Sequence, residues 1–253
     1  MQSRDHYHLL ARLFVYPEFD YPDRVRAAIA GLREEYPEAA MELENFVDLL
    51  PAWDVEDQTI PLNEIQEVYT RSFEVQAITP LDVGYVCFGD DYKRAELLVN
   101  LNREHREAGV DWGTELSDHL PNILRLVSKS SNQAILEELI SQVLYPAVSQ
   151  MLHEFRPERM DQRNKLYKKY HKTLIATSEH RATMFRHTLA AVQVVLKADW
   201  ETTAVESIPQ SRDFLRSIHR EFEIEDKGAG RRPADALKVR LPQKSACGAP
   251  RRT

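Results

Sequence analysis

An all-α fold, a single bundle of about nine to ten helices, is what this sequence predicts. Three observations carry the prediction: apolar residues recur at helical spacing along nearly every segment before residue 200, strict alternation is almost absent, and only 8 of 253 residues are glycine. With 43% apolar and 29% charged residues the chain can fill one sizeable core. Residues 1–200 read as the bundle, subdivided near 75–90, and residues 201–253 as a linker and basic, disordered tail.

The first helix carries His6, Leu9, Leu10, Leu13 and Phe14. It stops at Tyr16-Pro17, because the residue before a proline is pushed out of the α region. Pro22 opens a second helix with Val25, Ala28, Ile29, Leu32 and Tyr36, and Pro37 marks the next break. A short stripe of Leu43, Phe46, Val47 and Leu50 ends at Pro51, and after an acidic loop a fourth runs through Ile65, Val68, Tyr69 and Phe73. From Val75 to Phe88 no helical period is found, and Pro80, Gly84 and the β-branched and aromatic residues predict an irregular connection or a short extended piece. Helix resumes at Asp90-Asp91, carboxylates suited to the positive end of a helix dipole. It passes through Leu97, Leu98, Leu101 and His105 to a glycine cap at Gly109.

A second irregular link, Val110 to Ser117, leads into Leu120, Ile123, Leu124 and Val127. The longest stripe, from Ile135 to Phe155, contains Pro146, which predicts a kink or a split. One further helix carries Leu166, Tyr167, Tyr170 and Leu174, and the last carries Phe185, Thr188, Leu189, Val192, Val195 and Leu196. No repeat of fixed period is present.

Several classes of function are disfavoured. The longest run of apolar residues is four, against roughly 20 for a membrane span. The polar start, Gln2-Ser3-Arg4-Asp5-His6, predicts no secretory signal and a cytoplasmic location. Cys87 and Cys247 form no CxxC and read as free thiols. Gly84 and Gly89 have the spacing of a phosphate loop, but Asp90 and Asp91 follow where Lys and Ser or Thr are needed. No Glu-x-x-His, HExxH or GxSxG occurs, and His180 and His187 share a helix face without a third ligand. No metal, cofactor or catalytic set is therefore expected.

Charge is divided along the chain. Residues 227–253 hold eight lysines or arginines against one acid, net +7, whereas the remainder holds 25 basic and 39 acidic residues, net −14. An acidic body repels nucleic-acid phosphates and favours cationic partners. Within the tail, Arg231-Arg232-Pro233 resembles a fragment of a twin-arginine leader and is expected at most to cover the acidic surface when no partner is bound.

Aromatic residues, glycines and carboxylates concentrate at the two breaks in the helical pattern, where a bundle can leave a groove. Phe73, Phe88-Gly89-Asp90-Asp91-Tyr92-Lys93-Arg94, His105-Arg106-Glu107-Ala108-Gly109 and Glu115-Leu116-Ser117-Asp118-His119-Leu120-Pro121 together resemble the central region of the NarJ/TorD-type chaperones. These are all-helical maturation factors of molybdenum enzymes and include the delta subunit of respiratory nitrate reductase. The resemblance covers about residues 65 to 127, and Ser117 stands where many members have proline. It implies a cytoplasmic binding protein without a catalytic step or cofactor. Its partner would be the N-terminal, often twin-arginine, peptide of an immature molybdenum-containing catalytic subunit, held until the cofactor is inserted.

On that reading Tyr85, Phe88 and Tyr92 are expected to wall the groove, while Glu115, Asp118 and His119 rim it; Arg94 and Pro121 complete the candidate peptide-binding set. A plainer reading makes Asp118 an N-cap and Pro121 a first-turn proline. Two other classes compete: an enzyme using Asp118-His119 as an acid–base pair, and a permanent helical scaffold subunit of an oxidoreductase complex.

Overall fold

The computed structural model of the chain describes residues 4–53, 56–171 and 181–200. His180, Cys247, Arg231-Arg232-Pro233 and the expected tail lie outside the described residues. Among those residues every regular element is helical and no strand occurs.

Prolines set the first boundaries. Helix α1 (Asp5–Ala11) tightens into a 3₁₀ turn, Arg12–Phe14, and Val15 is extended ahead of Tyr16-Pro17. Pro22 lies in the first turn of α2 (Tyr21–Leu32) and Pro37 opens α3 (Pro37–Val47), positions where the missing N–H has no intrahelical partner to lose. Helix α4 spans Thr59–Phe73.

The stretch expected to be irregular or extended ends instead in a short helix, α5 (Val83–Phe88). Six residues are too few for a helical period to register in sequence. The packing of Val83, Gly84, Val86 and Cys87 supplies the stability that so short a helix lacks alone. Asp91 caps α6 (Tyr92–Glu107) by accepting from the Lys93 N–H at 3.0 Å. Gly109, at φ 64°, follows the end of α6 in the left-handed conformation that a helix cap favours.

After the link comes α7 (Leu120–Lys129), then α8 (Gln133–Leu139), a π turn over Ile140–Leu144, and α9 (Tyr145–Glu154). The expected disruption at Pro146 takes the form of this wider turn, which accommodates a ring that has no N–H and collides with the carbonyl four residues back. With α8 and α9 taken as one rod, α10 (Pro157–His171) and α11 (Phe185–Trp200) bring the helices among the described residues to ten.

Helix α11 packs on α3 and α9, α1 on α7 and α2, and α5 on α9. One buried cluster takes Leu10, Leu43 and Ile65 from before the first break and Leu120, Val148 and Val192 from after it. At its centre Phe14, Phe46, Tyr69, Phe73 and Phe185 meet edge-on or tilted, with centroids 5.2–6.2 Å apart. Two buried phenols fix the 3₁₀ turn: Tyr21 donates to the Leu13 carbonyl at 2.8 Å and Tyr69 to the Phe14 carbonyl at 2.7 Å. Those bonds satisfy orphan carbonyls and hold Tyr16 at the surface. At the far end Asp199 ties α11 to α1 and to the N-cap of α3, its carboxylate 2.9 Å from His6 Nε2 and accepting from the Tyr36 hydroxyl at 2.6 Å. Among the described residues no helix is long and apolar enough to cross a membrane.

Candidate functional site

The two breaks in the helical pattern lie side by side. Asp82 and His119 form an isolated antiparallel bridge; the Val83 N–H donates to the Asp118 carbonyl and the Leu120 N–H to the Leu81 carbonyl, each at 2.9 Å. Beside this stitch opens a groove of about 480 Å³. Phe14 and Tyr16 line it with the α4 residues Tyr69 and Phe73 and the α4 C-cap Glu74, and Trp112 to Glu115 with His119 and Pro121 complete the lining. Tyr69 and Phe73 are buried, whereas Tyr16 is 42% exposed and stands edge-on to Tyr69 at 5.3 Å.

Three carboxylates, Glu74, Asp82 and Glu115, face the groove together with Arg125 and His119. Burial, with Glu74 and Glu115 nearby, holds the Tyr69 phenol well above its ordinary value, which places both glutamates within electrostatic reach of the aromatic floor. The wall carrying Trp112 is rigid for a local reason. Asn122, buried in α7, donates its side-chain N–H groups to the Trp112 carbonyl at 3.1 Å and the Leu116 carbonyl at 3.0 Å. His105 adds a strut from α6: its Nδ1 lies 2.8 Å from the Leu101 carbonyl and its Nε2 3.1 Å from the Asn122 carbonyl, with Trp112 edge-on to the ring.

Behind the rim sits an ionic brace. The Arg94 guanidinium donates through Nε to Asp118 Oδ2 at 2.9 Å and through Nη2 to Asp82 Oδ2 at 3.1 Å, and its carbon stands 5.4 Å from the Tyr85 ring centroid. Asp82 completes the chain by meeting His119 Nδ1 at 3.1 Å. Asp118 is fully buried, and that burial raises its carboxyl above the ordinary value despite Arg94. Burial also pushes Asp82 upward, but His119 and Arg94 together outweigh it and hold the carboxyl low. Arg94 itself is raised, since its two carboxylates outweigh the desolvation that would lower it. Ser117, next to Asp118, keeps a buried hydroxyl without a hydrogen-bond partner among the described residues.

The residues expected to act together divide into three groups. Glu115, His119 and Pro121 line the groove. Arg94 and Asp118 form the brace, with Tyr85 against it, so the Asp118 carboxylate engages Arg94 and not a helix end; the N-cap position of α7 belongs to His119. Tyr92, 74% exposed, and Phe88, half-buried against the core, do not line the groove. The expected ring wall of Tyr85, Phe88 and Tyr92 is replaced by Phe14, Tyr16, Tyr69, Phe73 and Trp112. The cause is α5: a helix that buries Val83, Gly84, Val86 and Cys87 sets Tyr85 and Phe88 on its flank.

Asp118 and His119, adjacent in sequence, also have different partners and form no acid–base pair with each other. Among the described residues no three His, Cys, Asp or Glu side chains gather as a metal site. The arrangement suits binding: aromatic faces for an apolar or cationic side chain, with carboxylates at the edge. Comparison with known proteins finds no family model, curated protein or solved structure that matches this chain.

Proposed function

We propose that this protein is a cytoplasmic maturation chaperone for a molybdenum-containing catalytic subunit, of respiratory nitrate reductase or a related oxidoreductase, and that it binds the subunit's N-terminal peptide. The observation that carries the reading is the groove of about 480 Å³, floored by rings and edged by Glu74, Asp82 and Glu115, with Phe73, Glu115, His119 and Pro121 of the NarJ/TorD-like motifs in its lining. A leader-type peptide offers what such a groove takes, an apolar segment beside basic side chains.

Magnitudes decide which contacts dominate. Ordering a flexible peptide costs about 2–5 kcal/mol, and an exposed ion pair returns about 0–1 kcal/mol. Burying about 150 Å² of one aromatic or leucine-sized side chain contributes about 4 kcal/mol. Two such anchors offset the ordering cost with a surplus, and the carboxylates then select cationic sequences and speed encounter.

The test is a fluorescence titration of the full chain with a dye-labelled leader peptide from a molybdenum oxidoreductase large subunit. Trp112→Ala should weaken binding at least tenfold and Glu115→Gln about threefold. Affinity unchanged in both, with helicity intact by circular dichroism, refutes the assignment. Capture of the immature large subunit from cytosol, identified by mass, would name the client.

A further inference from the structure

A second recess, of about 260 Å³, adjoins the groove on the other side of the Tyr16 ring. Tyr16 lines both. Helix α4 provides the continuity, because Asn63, Glu67, Thr70 and Glu74 succeed one another at steps of four, three and four residues and so form one stripe along it. The first three line the recess, Glu74 lines the groove, and Thr70 Oγ1 donates to Glu74 Oε2 at 3.2 Å across the junction.

The recess has a mixed apolar and polar lining, in which Glu67 and Arg71 are the charged residues. Asn63 and Glu67 are exposed, and neither is engaged by any described residue. Gln66 donates to the Pro17 carbonyl at 2.8 Å. Arg71, the cation of this lining, is buried, with its guanidinium donated to the Val75 and Gln76 carbonyls. A free carboxylate in a recess next to an acid-edged groove selects a second positive charge on whatever occupies the first.

We infer that groove and recess are two subsites of one track, and that its occupant is an extended peptide with two basic side chains three residues apart. One pairs with Glu74 and Glu115 in the groove, the other with Glu67 in the recess, and Tyr16 is the saddle between them. This rests on the peptide-binding reading above and adds a register to it. Glu67 on α4 and Glu74, its C-cap, are seven residues apart, about 10.5 Å at 1.5 Å per residue. A polyproline-II segment covers about 9.3 Å in three residues and returns its side chains to the same side every third residue. A β-strand repeats its facing every second residue, which gives about 6.6 or 13 Å and misses the spacing. A bound helix covers about 10.5 Å in seven residues, and the i, i+7 peptide below tests for it.

Four dye-labelled peptides of otherwise common composition test the register, each titrated into the full chain by fluorescence anisotropy. One has a single arginine, and three have arginine pairs that are adjacent, at i and i+3, or at i and i+7. The i, i+3 peptide should bind about fivefold tighter than the rest. Glu67→Gln, a change at an exposed position, should reduce it to the affinity of the single-arginine peptide. Equal affinities for the three spacings, a preference for adjacent or i, i+7 pairs, or an i, i+3 preference that survives Glu67→Gln each overturn the track. The underlying reading fails separately: if Trp112→Ala and Glu115→Gln do not alter binding of the single-arginine peptide, the groove itself is not the site.

Discussion

Replacing Arg94 by methionine keeps most of the side chain's volume and removes the positive charge between two carboxylates. Asp118, fully buried and 2.9 Å from Arg94 Nε, then has two routes. Remaining ionised without its partner costs about 3–5 kcal/mol, the range for breaking a buried pair from one side. Taking up a proton at pH 7 costs at most about 4 kcal/mol, three units above the carboxyl's unfolded pKa at 1.36 kcal/mol each. Both routes give a loss near 4 kcal/mol, of which the lost contact with the Tyr85 ring adds under about 1 kcal/mol. The second route has a pH signature. A carboxyl whose folded pKa lies above its unfolded value favours the fold fully below the unfolded pKa, and that contribution disappears as pH rises toward the folded pKa. Burial already raises Asp118 in the wild type, and removing Arg94 raises it further. The deficit of Arg94→Met should therefore shrink by about 2–3 kcal/mol between pH 7 and pH 5, at about 1.36 kcal/mol per unit. Urea denaturation followed by circular dichroism at both pH values measures it, and adding Asp118→Leu should recover most of the loss. A deficit below about 1 kcal/mol would show that the brace carries little energy and refute the reasoning, and a larger deficit that does not change with pH would refute the protonation of Asp118.

Two further changes probe the same part of the fold. A Cβ at Gly84 would lie 2.6 Å from Asp118 Oδ2 and 3.0 Å from Leu97 Cδ2, so Gly84→Ala should destabilise by about 2 kcal/mol despite its gain of about 1 kcal/mol in helix propensity, read as a lower urea midpoint. Arg163 is 3% exposed, with Nε and Nη1 lacking partners among the described residues, and burial pushes its guanidinium down to about 10. A base whose folded pKa is depressed penalises the fold at all lower pH, so Arg163→Met should stabilise by about 1–3 kcal/mol at pH 7, measured as a rise in thermal midpoint.

What the sequence made legible follows from the strength of each local rule. Pro17, Pro22, Pro37 and Pro146 mark boundaries within three residues of those of the structure, because proline's missing N–H and fixed φ act without regard to tertiary context. Helix α5 was not legible, since its six residues are held by packing on α9, a segment about 60 residues away. In the groove, the residues contributed by irregular backbone, Glu115 and the bridge partner His119, stand out in sequence as chemistry at a break. Tyr69 and Phe73 do not, because a floor ring and a core ring obey the same helical spacing and here are the same residues. Tyr16 and Trp112 had a signal that was available: each is an aromatic inside a pattern break, next to Pro17 and Gly113 respectively.

The coincidence of groove and brace has a physical basis. A helix satisfies its own backbone, so helical walls alone tend to close on one another; an opening persists where irregular backbone intervenes and is held apart. Here the two irregular links would be the most mobile part of the bundle, and a mobile wall adds ordering cost to any ligand. The bridge at Asp82 and His119, the Asn122 side chain and the Arg94 pairs remove that freedom before a ligand arrives. Asp82, His119 and Asn122 line the groove while held by these contacts, and Arg94 and Asp118 stand behind them, whereas Glu74 and Glu115 make no ion pair with a described residue. Burial is thus concentrated in the charges that shape the cleft, and exposure in those left to meet a partner. That division explains why Asp118, the most conspicuous acid of its motif, supports the groove without lining it.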